Sequence, residues 1–159
     1  MKILGLLGMA LLCLAPTLAT ANPVLTITSD VKADAPLVVR YDLEDLEALA
    51  QARYDTINDF VDVPTEFSGP LLRDVLAPLS VPEDATLELI ALNDYRFDMP
   101  YADAANYDVM VALERDGERM SVRENGPLWI IYPMSDHPEL QAPIYNSRLV
   151  WQLTAIAIK

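Results

Sequence analysis

From residue 22 onward this chain is a succession of short apolar runs, each stopped by a turn signal before it grows long. "VLTIT" (24–28) alternates as half-buried strands do, "LVVRY" (37–41) suits a strand, and "RYDTINDF" (53–60) alternates more weakly. "ATLELIAL" (85–92) is a strand that meets the turn pair Asn93-Asp94, after which "YRFDMP" returns. "VMVALERDGERMS" (109–121) reads as a hairpin about Asp116-Gly117, and "LWIIY" (128–132) as a buried strand. Helical period is confined to brief stretches. Asp42 caps a turn carrying Leu43, Leu46 and Leu49. "FSGPLLRDVLAPL" (67–79) offers Ser68 as an N-cap, Pro70 in the first turn and a Leu71, Leu72, Val75, Leu76 stripe that stops near Pro78. "YADAANY" (101–107) is a helical turn, and residues 142–148 a turn or short helix before a last strand from about Leu153. Many short strands with a few short helices imply an α+β domain dominated by mixed sheet.

The N-terminal stretch is of another kind. One lysine, an apolar run from Ile3 to Leu14 and the ending Ala19-Thr20-Ala21 have the order of a secretory signal peptide, expected over residues 1–21. The run is shorter than the roughly 18–20 apolar residues of a membrane span. The residue before Cys13 is Leu12, where lipoprotein processing wants a small one. The expectation is a soluble exported protein, periplasmic in a bacterium, with one domain over 22–159 and no membrane insertion after cleavage. Roughly 140 residues suffice to bury a core without staples.

Cys13 is the only cysteine and would leave with the signal. Disulfides, cysteine nucleophiles, zinc–thiolate sites and iron–sulfur clusters go with it. A single histidine, His137, makes a multi-histidine metal site impossible. The formal net charge of -13 sets the chain against phosphate backbones and anionic membrane surfaces, so no nucleic acid partner is expected. A basic protein partner remains compatible with it. Catalysis without a metal finds little support: "FSGP" is not a nucleophile elbow, and a Ser-His-Asp triad would depend on His137 alone. The chain reads as more a binder than an enzyme.

"FSGPLLRDVLAPL", then "LIALNDYRFDMPYADAANYDVMVALERDGERMSVRENGPLWIIYP", then "RLVWQLTAIAIK" resembles, in order and spacing, the molybdopterin-binding domain of the sulfite-oxidase fold. The resemblance covers about Asp34 to Lys159 and implies a sulfite-oxidase-like fold of mixed sheets with short helices. Catalytic members of that family bind molybdenum through a cysteine thiolate, a soft ligand that no serine or threonine replaces well. "ALNDYRFDMPYAD" and "GPLWIIYPMSD" look instead like a subset of small, exported, cysteine-free relatives. That likeness implies a non-catalytic periplasmic pterin-binding protein, which relays pterin availability to a membrane-bound partner of the GGDEF or EAL type that controls cyclic di-GMP. The alternatives are a molybdopterin-dependent oxidoreductase or molybdopterin carrier, and a ligand-free interaction module.

A pterin is a flat bicycle with an amino group and a ring N–H side by side, plus a carbonyl. It calls for a stacking face, contributing about 0.5–1.5 kcal/mol beyond area burial, and for a carboxylate that takes two parallel N–H bonds. Trp129 or Tyr132 would stack, and Asp136 would accept from the amino group and ring N–H. Asn93 and Tyr95, on the other polar turn, would meet the carbonyl and ring edge. Arg148 would reach a carbonyl or hydroxylated tail. Each has a competing structural role, Trp129 as core, Tyr132 as the seal of a strand end, Asp136 as a cap for "HPEL", Asn93 as a turn former and Arg148 as the partner of a surface acid, and Trp151 reads as core.

Overall fold

The computed structural model describes residues 22–31 and 36–159. The expected signal peptide and Cys13 lie outside the described residues. Strand outweighs helix, 43% to 24%, so the domain is a sheet-rich α+β protein. Its largest sheet has the order β2-β1-β11-β5-β6, from β1 (Leu25–Ser29), β2 (Leu37–Tyr41), β5 (Thr86–Ala91), β6 (Arg96–Pro100) and β11 (Leu153–Ile158). Only the β1–β11 pair is parallel; the others are antiparallel. A four-stranded sheet runs β3 (Gln51–Asn58), β4 (Val61–Pro70), β8 (Glu114–Arg115), β9 (Glu118–Arg119). β7 (Met110–Ala112) pairs with β10 (Trp129–Ile131).

The β7–β10 pair explains the layering. Successive strand side chains point to opposite faces. Leu128, Ile130 and Tyr132 join the main core with Val109, Val111 and Leu113. Trp129, Ile131, Met110 and Ala112 face a second core with Val61 and Phe67. "LWIIY" is continuously apolar because both of its faces are covered, as buried strands are. The main core is closed by the inward faces of β1, β5 and β11 and by α2 (Leu72–Leu76), whose Leu72, Val75 and Leu76 are fully buried.

The helices follow local chemistry where that chemistry is complete. α1 (Leu43–Ala48) starts with a capping box: Asp45 N–H donates to Asp42 Oδ1 (2.8 Å), and Asp42 N–H to Asp45 Oδ2 (3.1 Å). Ser68 does not cap α2. Residues 68–70 are still β4, Leu71 is the N-cap, and the Ser68 hydroxyl donates across the sheet to Glu114 Oε2 (2.9 Å). The sheet claims the serine because its cross-strand neighbour offers a carboxylate acceptor. α3 (Tyr101–Asn106) and α4 (Pro143–Ser147) are short.

Candidate functional site

A cleft of about 370 Å³ opens where three segments meet. The first is the β3–β4 hairpin tip. Asn58 pairs with Val61, leaving Asp59 and Phe60 as the turn. Asn58 Oδ1 accepts from Phe60 N–H (2.9 Å) and tightens it. The second is the β5–β6 turn. Asn93 Oδ1 accepts from Tyr95 N–H (3.1 Å), and Asp94 takes the left-handed conformation (φ 63°) that turn acids tolerate. The third is α4 with the segment leading to β11, residues 143–151.

These segments are bonded to one another. Asp59 N–H donates to Asn146 Oδ1 (3.2 Å), and the Tyr95 hydroxyl to Ser147 O (3.3 Å). Phe60, 43% exposed, meets the Trp151 ring edge to face with centroids 4.8 Å apart. Phe60, Trp151 and Tyr95 supply aromatic surface, with Leu149, Val150 and Pro143 beside them. Asn93, Asn146 and Ser147 supply polar groups, and Asp59 is the one charged residue on the wall. Such a site suits a small flat ligand that presents N–H donors to a carboxylate. Its volume is at the low end of the range for small-molecule pockets.

Of the residues picked out from sequence, Asn93 and Tyr95 line this cleft. Trp129 and Tyr132 do not, and their assignment as stacking faces is corrected. Trp129 is fully buried, donates from Nε1 to Leu149 O (3.1 Å), and packs edge-on to Phe67 and Trp151. Trp151, taken from sequence as core, does pack against the second core, but it is only half-buried and also lines the cleft. Asp136 is exposed on the loop after β10, away from the lining residues, and does not cap the following 3-10 turn, whose N-cap is His137. That loop is stitched to β3: Met134 N–H donates to Thr56 Oγ1 and Ile57 N–H to Ser135 Oγ (both 3.1 Å). The carboxylate at the cleft is Asp59. The turn-favouring pair Asn58-Asp59, inside a run read from sequence as strand through Phe60, was the available signal for it.

Tyr132 and Arg148 meet behind the cleft, on a residue that the sequence does not single out. The Tyr132 hydroxyl donates to Asp103 Oδ2 (2.7 Å), and Arg148 Nη1 lies 2.5 Å from the same oxygen. The Arg148 guanidinium also sits 4.9 Å from the Tyr145 ring centroid. Burial, and then the Asp103 carboxylate, push the Tyr132 hydroxyl far above its ordinary range, with Arg148 pulling the other way. Arg148 is thus occupied by an internal acid and does not reach into the cleft.

The donor set bears on the molybdenum alternative. Among the described residues there is no thiol and no group of three or more His, Cys, Asp or Glu side chains placed to hold a metal. Among the described residues no lysine or arginine lines the cleft to meet a pterin phosphate. These residues do not fit a molybdopterin centre. A polar groove of about 490 Å³ at the opposite end of the β3–β4 hairpin is lined by charges already engaged, Arg53 with Glu66 and Arg119 with Glu47. No protein-family model matches the chain, and no curated protein matches it.

Proposed function

We propose that this protein is a binder, not a catalyst, and that a pterin without a phosphate is its ligand in the Phe60–Trp151 cleft. The observation that carries the reading is an aromatic pair, Phe60 exposed and Trp151 half-buried, beside Asp59, the one charged side chain among the described residues on the wall of a cleft of bicycle size. In this reading the ring inserts against Phe60 and Trp151. Asp59 accepts from the amino group and adjacent ring N–H, and the Asn93 and Asn146 amides meet the carbonyl edge. The fold belongs, in the same proposal, with the sulfite-oxidase-like domains that the sequence resembles, and the protein works in the periplasm. Occupancy is relayed to the periplasmic part of a membrane-bound signalling protein, of the GGDEF or EAL type, by differential affinity for the filled and empty forms. Exposed Ile57, Leu92 and Ile144 sit on the same segments that build the cleft and give such a partner apolar anchors.

The test is a titration of the protein from residue 22 onward with a tetrahydropterin, followed by tryptophan fluorescence. Saturable quenching at micromolar or lower concentration is expected, abolished in Trp151→Ala and weakened about tenfold or more in Asp59→Asn. A folded protein that binds no pterin ends this reading and leaves the interaction module in the lead.

A further inference from the structure

Three of the cleft-lining residues, Pro143, Asn146 and Ser147, belong to α4, which has little to hold it, whereas Leu149 and Val150 after it are buried in the main core and bonded to β10. α4 has five residues, no side-chain cap and no buried side chain, and a helix that short has no stability of its own. Yet both lips of the cleft hang on it, Asp59 through Asn146 and Tyr95 through Ser147. Its anchor is Arg148, the residue at its C-cap. Among the described residues, the one side-chain hydrogen bond of that guanidinium is to Asp103 on α3, with the Tyr145 ring at 4.9 Å, and its buried Nε has no partner. Asp103 is itself 7% exposed and receives a second donor from Tyr132 at the end of β10. One carboxylate oxygen therefore ties α3, β10 and α4 together.

We infer that Asp103 is a positioning residue for the cleft: through Arg148 it holds α4, and through α4 the two lips, in the geometry that binds ligand. Asp103 touches no part of the cleft. A buried pair that loses one partner leaves the other charge uncompensated, so the remaining arginine is driven to turn toward water and take α4 with it. The affinity arm of the test rests on the pterin reading; the exchange arm does not.

The experiment compares wild type, Asp103→Asn and the double variant Asp103→Asn/Arg148→Gln, which removes both charges and so leaves neither unpaired if the single variant fails to fold. Amide hydrogen exchange is measured on the empty proteins and tetrahydropterin affinity on the same samples. The expected result is exchange about tenfold or more faster in residues 57–61, 93–95 and 144–148, unchanged exchange in β1, β5 and β11, and a Kd raised about tenfold or more. Unchanged local exchange, or a uniform acceleration through the central sheet, overturns the inference whether or not pterin binds. Faster local exchange with an unchanged Kd overturns it as well. Wild type that binds no pterin removes the functional reading, and the exchange pattern then decides the positioning role alone.

Discussion

At the scale of single residues, the two tryptophans differ in environment although their rings pack edge to face. Trp129 is packed between Phe67 and Trp151 with its N–H satisfied by Leu149 O. Trp151 is partly exposed and faces Phe60. Trp129→Ala should cost about 3–5 kcal/mol, the range for emptying a large aromatic site in a core. A urea titration would read this as a lower midpoint, and a cost under about 1 kcal/mol would contradict the packing described. Trp151→Ala should leave most of the stability in place and remove ligand quenching. Swapping those two outcomes would place the stacking face on Trp129 after all.

At the scale of elements, the joint between the two cores depends on close backbone contact. Gly69 near the end of β4 lies against β7, where an added Cβ would collide with Val111 O. The contact is backbone on backbone, so no side chain can swing away to make room. Gly69→Ala should therefore destabilise by about 1–3 kcal/mol, and thermal unfolding would show it as a lowered Tm. A Tm equal to wild type would mean that β4 and β7 are further apart than described. The bridge between Leu71 and Met110 continues the same contact, so strain there reaches both cores at once.

Across the whole molecule, buried tyrosines tie stability to alkaline pH. The hydroxyls of Tyr132 and Tyr54 both sit well above the ordinary tyrosine value, first because burial disfavours the phenolate and then because acids lie nearby: Asp103 for Tyr132, Asp108 and Asp136 for Tyr54. The folded form keeps both protons where the unfolded chain loses them, near pH 10. Their contribution is complete below that pH and is lost as pH rises through the folded values. Each should lower stability by about 1.4 kcal/mol per pH unit above about pH 10. Urea denaturation at pH 9, 10 and 11 would measure the slope. Tyr132→Phe should reduce it by about that amount per unit, while costing about 1.5–3 kcal/mol at neutral pH for the lost bond to Asp103. A variant with the wild-type slope would show that Tyr132 ionises freely in the folded protein.

The sequence by itself determined what depends on near neighbours along the chain. The Asp42 cap with its α1 stripe, the Asn93-Asp94 and Asp116-Gly117 turns, and the strand Leu25–Ser29 form as their residues predict, because capping, turn chemistry and two-residue alternation act within a few positions. Only the tertiary structure decided what depends on which element covers which. Ser68 has the chemistry of an N-cap but stays in the sheet, because Glu114 on a neighbouring strand holds its hydroxyl. The run from Leu128 to Tyr132 is apolar on both faces, and nothing local says that one face meets Phe67 while the other meets the main core. The cleft draws on residues near 60, 95 and 150, and Asp103 meets Arg148 across 45 positions. Local pattern records which side chains avoid water; depth and partnership are set by how the sheets and α4 close over one another.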